Sequence, residues 1–289
     1  MRYHVRHSYP RPHGVLRILQ LAATMLTNFA LAAFAALTSA TILQNGQVRT
    51  TAYPNITIPA ILGDHNSSWT TYGPGASELS YKGRWDEKYI SWWSAPGLKF
   101  GFRAEQVAIS FGNYTSEGVL VAYRLDGLDW MLTNVTANST NLFITPATTG
   151  YNLSTPANGP RTLELRVTNW AYGVQIKAVH LAGGRAELVK VPDYSRRMEI
   201  IGDSLSSGYT DTLEGISSYA WGLAYGFGDT EFAITAFPGI CVTDKECFGN
   251  PRGQSFQWDK TVDTSGRAVE IYGDSRPLLH LSYSRMLTP

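Results

Sequence analysis

The sequence predicts an all-β sandwich followed by an incomplete α/β domain, and three observations support this fold class. Between residues 81 and 186, short β-rich runs alternate with turn residues, and no convincing helical pattern separates them. From residue 196 onward the order is strand, helix, strand, which is typical of a parallel βαβ unit. After that unit we expect only about half of the strands of a doubly wound sheet.

These patterns divide the 289 residues into five segments. We expect residues 1–40 to be a signal peptide or signal anchor and residues 41–65 to be a polar lead-in. Residues 66–186 form the predicted sandwich, with carbohydrate binding as one role for it. Residues 187–195 are predicted to be a linker, and residues 196–289 the partial α/β domain.

The sandwich prediction depends on six runs with strand character, bounded by Gly, Asn, Asp and Pro. An Asp126-Gly127 pair between two of them predicts a hairpin turn, because both residue types tolerate a positive φ. The predicted strands are residues 98–102, 106–111, 118–125, 141–145, 161–167 and 174–181.

The second half begins with a predicted strand over residues 198–201. A helix is expected next, starting after Ser217 or Ser218, either of which is a suitable N-cap, and ending near Tyr225. A second strand is predicted over residues 231–237. Because two consecutive parallel strands need a crossover, the helix between them fits a right-handed βαβ unit.

Charge and the N-terminal segment restrict the class of protein. A formal net charge of +1, with 16% charged residues, argues against nucleic-acid binding and favours a neutral partner.

Four arginines precede an apolar run over residues 18–37, the pattern of a secretory signal peptide. That run approaches the roughly 20 residues that span a bilayer, so an uncleaved anchor stays open, and membrane association is expected only in that case.

Six Asn-x-Ser/Thr sequons follow this segment and favour a secreted, extracellular glycoprotein. In an oxidising compartment, Cys241 and Cys247 are able to close a small disulfide loop, and two free thiols are the alternative. Two cysteines without a nearby histidine do not complete a zinc site, so we expect no metal. The candidate glycosylation sites are Asn55, Asn66, Asn113, Asn134, Asn138 and Asn152.

Ser204 is the candidate nucleophile because it directly follows the first strand of the βαβ unit, in a Gly202-Asp203-Ser204-Leu205 run. Ligands of open α/β sheets bind at the carboxyl ends of the strands. Gly239 follows the second strand, and its amide and that of Ser204 are candidate donors to an oxyanion. We expect Gly202 and Asp203 to support the turn.

These residues resemble the first two sequence blocks of the SGNH, or GDSL-type, hydrolases. Residues 82–86, 92–102 and 123–127 resemble the sandwich that precedes the hydrolase domain in the second family of carbohydrate esterases. The resemblance implies a jelly-roll-like sandwich and an incomplete flavodoxin-like SGNH domain. It also implies removal of acetyl groups from sugars or hemicellulose through an acyl-Ser204 intermediate, with Gly239 as oxyanion donor, Trp258 near the substrate and no cofactor.

The family pattern also contains a Gly-x-Asn-Asp block and an Asp-x-x-His block, and this sequence has neither. His280 is the only histidine after Ser204, and it does not match the family's base. Two alternatives to an active esterase therefore stay open. One is a catalytically inactive, secreted carbohydrate-binding protein. The other is a fragment of the full esterase, with a sequence misread from about residue 260 onward.

Tryptophans of the sandwich segment are the remaining candidates for sugar contacts. Aromatic rings stack on the faces of pyranoses, but large aromatic side chains in a sandwich usually belong to its core. Both roles are open for Trp85, Trp92, Trp93, Trp130 and Trp170.

Overall fold

The computed structural model describes residues 69–151 and 159–257, and all of them belong to one compact unit, Leu43–Pro289. The described strands are β1 (Trp69–Tyr72), β2 (Ser80–Lys82), β3 (Ile90–Ser91), β4 (Gly97–Arg103), β5 (Gln106–Phe111), β6 (Val119–Leu125), β7 (Met131–Val135), β8 (Thr140–Ile144), β9 (Arg161–Val167), β10 (Val174–Ala182), β11 (Glu187–Val189), β12 (Arg196–Gly202) and β13 (Thr230–Ala236). The helices are α1 (Ser204–Ser207), a 3-10 helix (Glu214–Ser217), α2 (Tyr219–Gly226) and α3 (Gln254–Gln257).

Strands β1 to β11 form two antiparallel sheets that pack as a sandwich. One sheet has the order β1-β10-β5-β8, with β3 also paired to β10. The other has the order β11-β4-β9-β6-β7, with β2 also paired to β4. Apolar side chains of both inner faces, among them Phe100, Phe111, Ile109, Leu163 and Val179, are fully buried and make one core. The predicted β-sandwich is confirmed.

All six predicted sandwich strands are present, with ends that differ by one residue or not at all. The predicted turn has the expected backbone, since φ is +51° at Asp126 and +76° at Gly127. The structure places strand β11 inside the predicted linker, residues 187–195, where it pairs with β4. The sandwich therefore extends beyond the predicted boundary at residue 186.

Strands β12 and β13 are parallel, and their register joins Gly202 to Ala236. Helix α2 lies between them in the chain and begins at the predicted cap, because the Ser218 hydroxyl accepts a hydrogen bond from the Trp221 amide at 3.1 Å. Ala220, Trp221 and Ala224 of α2 pack with Ile234 and the neighbouring Ala236 in a second apolar cluster.

The sandwich is joined to the parallel strands by a short backbone contact and by ion pairs. Ser94 makes an antiparallel bridge with Ile234 of β13, so a sandwich residue covers part of that strand's outer edge. Lys82 lies 2.6 Å from Glu231 of β13, and Arg84 pairs with Glu199 of β12. Glu199 also accepts a hydrogen bond from Thr235 at 2.7 Å. These contacts hold β12 and β13 against the sandwich along their length.

His180 is fully buried in the sandwich between two hydroxyl groups. Its Nδ1 lies 2.8 Å from the Thr71 hydroxyl and its Nε2 lies 2.7 Å from the Ser110 hydroxyl. Burial lowers the pKa of His180 from its ordinary value of 6.5, because the apolar surroundings disfavour the charged ring. A neutral imidazole is therefore a structural part of the sandwich.

We expect this burial to make the protein less stable in acid. Since the unfolded chain binds a proton at His180 more readily than the folded chain, the free energy of unfolding falls as the pH decreases below about 6.5. His180→Gln removes that contribution, so its unfolding free energy, from urea titrations between pH 5 and pH 8, should depend less on pH than that of the wild type. Parallel pH profiles would contradict a neutral His180 in the fold.

Several sequence predictions concern residues outside the described ranges. They include the signal segment, residues 1–40, and the lead-in, residues 41–65. Within the described residues, the helices are too short or too polar to cross a membrane. The predictions for Asn55, Asn66, Asn152, Trp258 and His280 also lie outside the described residues.

Candidate active site

The candidate nucleophile lies in a sharp turn from strand β12 into helix α1. Gly202 is the last residue of β12, and a Cβ at this position would overlap the Ser206 side chain. Asp203 is the N-cap, because its carboxylate accepts a hydrogen bond from the Leu205 amide at 3.1 Å. Both residues support the turn that presents Ser204 at the carboxyl end of the strand.

The Ser204 side chain is half-buried and makes no hydrogen bond to another described residue. Its two neighbours in α1 differ in this respect. Ser206 lies 2.7 Å from the Tyr219 hydroxyl, and Ser207 donates to the Ser204 carbonyl at 3.0 Å. Both are buried. Ser204 is therefore the hydroxyl of this helix that is accessible to a substrate.

Gly239 lies in the adjacent turn, after strand β13. Because Gly202 pairs with Ala236, the two turns emerge side by side, and the Phe237 amide donates to the Gly202 carbonyl at 3.4 Å. Gly239 has φ of +77°, a conformation that favours glycine. Its amide donates to no acceptor among the described residues, so it is available to a developing oxyanion.

A disulfide loop follows Gly239 and supports its turn. Cys241 and Cys247 are joined in a disulfide, the first of the two alternatives left open by the sequence. The loop leads to buried Asn250, whose amide nitrogen donates to the Pro238 carbonyl at 3.1 Å and to the Cys247 carbonyl at 3.3 Å. Sequence reasoning missed this role of Asn250, since nothing in the motif predicts which carbonyl the side chain would contact.

An aromatic cluster borders the same end of the parallel strands. The Trp170 ring lies 5.5 Å from the ring of Phe237 and 5.4 Å from that of Tyr209, measured between centroids. The Trp170 indole nitrogen is buried and has no hydrogen-bond partner among the described residues. A sandwich loop therefore provides part of the apolar surroundings at this end of the parallel strands.

The other four tryptophans make internal contacts. Trp92 and Trp93 are buried, and the Trp85 indole donates to the Lys82 carbonyl at 2.9 Å. Trp130 packs edge-on against Trp221 of α2, with 6.1 Å between centroids. For these four side chains, packing within the protein accounts for their positions.

Three of the predicted glycosylation sites are described. Asn113 and Asn138 are exposed, as an attached glycan requires. Asn134 is only 7% exposed, and its amide nitrogen donates to the Gly118 carbonyl at 2.8 Å. The prediction of a glycan at Asn134 therefore conflicts with the fold, because the nitrogen that would carry it is buried.

A catalytic base is not found beside Ser204 in the described part of the chain. His180 is the only histidine among those residues, and its two ring nitrogens contact Thr71 and Ser110 in the sandwich. The same residues contain no group of three or more His, Cys, Asp or Glu side chains placed to hold a metal ion. The described part of the site thus comprises a candidate nucleophile, Ser204, and candidate oxyanion donors.

Gly208 closes the Ser204 turn, and we expect Gly208→Ala to lower the free energy of unfolding by about 2 to 5 kcal/mol. Its φ is +71°, which costs an alanine about 1 to 2 kcal/mol. An added Cβ would also overlap the Glu214 backbone, which adds about 1 to 3 kcal/mol. Urea denaturation measures the loss.

Gly127→Ala is the matched control for this substitution. Gly127 has φ of +76° and open space where a Cβ would lie, so its alanine variant carries only the conformational cost. Equal losses in the two variants would show that the contact with Glu214 contributes nothing.

Solved structures with the same architecture include family two carbohydrate esterases. The enzyme from Cellvibrio japonicus matches with a TM-score of 0.56 at 13% identity, over 71% of this chain and 64% of that one. An acetyl xylan esterase from Butyrivibrio proteoclasticus matches with a TM-score of 0.57 at 14% identity, over 73% and 60%. The chain has the fold of these carbohydrate esterases.

A third structure with this esterase fold is a family two carbohydrate esterase from Clostridium thermocellum in complex with cellohexaose. It matches with a TM-score of 0.50 at 20% identity, over 63% of this chain and 58% of that one. The chain thus spans about three fifths of the length of these esterases. Comparison by sequence with protein-family models and with curated proteins finds no match.

Proposed function

We propose that this chain is a carbohydrate esterase that cleaves O-acyl esters of sugars or hemicellulose, with Ser204 as nucleophile. The observation that carries the proposal is that the carboxyl ends of two adjacent parallel strands present an accessible Ser204 hydroxyl and a Gly239 amide that donates to no described acceptor. An ester carbonyl between them would meet a nucleophile on one side and an oxyanion donor on the other. The βαβ unit is then the start of an SGNH-type α/β domain.

The chemistry has two steps. The Ser204 Oγ attacks the acyl carbonyl, its proton passes to a base, and the tetrahedral oxyanion forms beside the amides of Gly239 and Ser204. The sugar oxygen then leaves with a proton, and an acyl-Ser204 ester remains. Water attacks this ester and releases the carboxylic acid. Both steps need a base, and among the described residues no histidine lies beside Ser204.

The lack of a histidine beside Ser204 in the described part of the chain favours a second candidate function, saccharide binding without hydrolysis. Removing the base from a serine hydrolase lowers its rate by several orders of magnitude and leaves only the contribution of binding and the oxyanion donors. In that case Trp170 and the Ser204 turn would hold a sugar that is not turned over.

One experiment separates the two functions. The full chain is incubated with acetylated xylan and with a peracetylated monosaccharide, and released acetate is measured alongside binding of the same polysaccharide by isothermal calorimetry. Acetate release above the buffer rate supports the esterase. Saturable binding without acetate release supports the binding protein, and the absence of both would refute the two proposals.

We also propose that the protein is secreted. The N-terminal sequence pattern, the exposed sequons at Asn113 and Asn138 and the disulfide between Cys241 and Cys247 support this location. Expression in a eukaryotic secretory host tests it. Recovery of the protein from the medium, with a mass that falls on treatment with an N-glycosidase, is the expected result, and retention of an unglycosylated chain inside the cell would contradict it.

A further inference from the structure

A cavity of about 330 Å³ lies between the outer face of the six-stranded sheet and the βαβ unit. Its wall on the sandwich side consists of charged side chains from four strands. Its other wall comes from α2 and the beginning of β13, where Glu231 and Phe232 lie. The charged residues that line it are Lys82, Lys99, Arg124, Glu164, Arg166 and Glu231.

Strand alternation brings these charges together. The register pairs Lys99 of β4 with Glu164 of β9, and Glu164 with Arg124 of β6, so the three side chains form a row across the sheet. Arg166 lies two residues beyond Glu164 and therefore on the same face. The opposite face carries the fully buried residues Leu98, Leu163 and Leu165 of the core.

The outer face is covered by α2 and β13, so its charges are buried. Lys82, Arg166, Glu164 and Arg124 are each less than 10% exposed. Burial of ionic groups is costly, and well-packed apolar side chains at such a place are often as stable or more stable. Stability of the fold alone therefore does not explain why this wall of the cavity is charged. Binding of a charged ligand would explain it.

The cavity is lined by four cations, and three of them are paired with carboxylates. The four are Lys82, Lys99, Arg124 and Arg166. Arg124 and Arg166 share Glu164, at 2.5 Å and 3.1 Å. Lys82 lies between Glu231, at 2.6 Å, and Asp193, at 2.9 Å. Burial raises the pKa of the Glu164 carboxyl group, but the positive charges of Arg166, Arg124 and, more weakly, Lys99 outweigh this effect and lower the pKa.

Lys99 differs from the other three cations. It forms no ion pair with a described residue, and its ammonium group lies over the Tyr194 ring, 5.0 Å from the centroid. Among the residues that line the cavity, four cations face the two carboxylates of Glu164 and Glu231. Asp193 pairs with Lys82 from outside the lining, which leaves an excess of one positive charge. A ligand with a single negative charge would balance the cavity.

The size and aromatic side chains of the cavity restrict that ligand further. A volume of about 330 Å³ is at the small end of ligand pockets, which suits a monosaccharide rather than a polymer segment. Tyr194, Tyr225 and Phe232 lie along the wall. Arg124 lies over the Tyr225 ring and Arg166 over the Phe232 ring, so it is the Tyr194 ring that we expect to pack against the apolar face of a sugar. We propose that this cavity binds a uronic acid, with Lys99 contacting its carboxylate.

This site is separate from the candidate active site. The cavity lies at Thr230, the first residue of β13, while Gly239 follows the last residue. Seven residues of extended strand separate the two ends by about 20 Å. Binding at the cavity therefore does not depend on the proposed esterase activity, and Ser204→Ala should leave it unchanged.

Calorimetric titration of the full chain with sodium glucuronate at low ionic strength tests the proposal. We expect saturable one-to-one binding, weaker at high salt because the contact is ionic. Lys99→Met keeps the length of the side chain but removes its charge, and should weaken binding at least about tenfold. Lys177→Met, the same change at an exposed position on the other sheet, should have no effect.

Two further titrations identify the ligand class. Neutral glucose should not bind measurably, and inorganic phosphate should bind more weakly than glucuronate because it does not contact the rings. Tyr194→Ala, at a residue that is 39% exposed and so tolerant of change, should weaken glucuronate binding by several-fold. This variant also covers the case in which Lys99→Met fails to fold.

Three outcomes would overturn the proposal. They are the absence of saturable glucuronate binding, equal affinity of the wild type and Lys99→Met, and equal or tighter binding of phosphate. The last result would identify a general anion site in place of a uronic acid site.

Discussion

Replacement of Ser204 by alanine is expected to lower kcat/KM for acetyl ester hydrolysis at least about a thousandfold. The hydroxyl is accessible and has no hydrogen-bond partner among the described residues, and its turn is adjacent to that of Gly239, whose amide donates to no described acceptor. Without it no acyl-enzyme forms, and the oxyanion donors alone retain only a small part of the rate acceleration. Initial rates of acetate release from an acetylated monosaccharide measure the loss.

Ser255→Ala is the control for this substitution, because Ser255 is an exposed serine on the short helix α3. It should keep the wild-type rate. A fluorophosphonate probe adds an independent readout, since it should label the wild type at Ser204 and leave Ser204→Ala unlabelled. Equal rates in the wild type and Ser204→Ala would remove Ser204 from the mechanism and leave saccharide binding as the function.

The fold was predictable where a residue's local pattern agrees with its final environment. Strands such as β5 and β9 lie at their predicted positions because their apolar side chains recur on the face that the sandwich buries. Ser218 caps α2 through a contact that spans only three residues. The Ser204 turn belongs to the same class, since Gly202 and Asp203 act within their own segment.

Features that depend on contacts across the chain were not predictable from the sequence. Strands β3 and β11 contain only two and three residues, and each pairs with a longer strand, β10 and β4 respectively. Lys99 and Arg166 alternate with core residues along their strands, which predicts that they face solvent. The βαβ unit nevertheless covers that face of the sheet. Nothing local in the sequence indicates that a later segment packs there.

On the outer face of the six-stranded sheet, we expect substitution of Glu164 to cost the most stability. Glu164→Gln should lower the free energy of unfolding by about 3 to 5 kcal/mol at pH 7. The carboxylate holds Arg124 at 2.5 Å and Arg166 at 3.1 Å, and the side chains of all three are at most 11% exposed. Glutamine keeps the shape but leaves two buried guanidinium groups without their counter-charge. Urea denaturation of the two proteins measures the difference.

The pH dependence of this difference identifies its cause. Since Arg166 and Arg124 lower the pKa of Glu164 below its ordinary value of 4.5, its contribution is complete above that value and is lost as the pH falls through the folded-state pKa. The difference in unfolding free energy between wild type and Glu164→Gln should therefore become smaller in acid.

The triple variant Arg124→Met, Glu164→Leu, Arg166→Met removes every charge of the cluster together and should be more stable than Glu164→Gln. If the triple variant is the less stable of the two, the ion pairs themselves contribute more than their desolvation costs, and the uncompensated charge is not the main penalty.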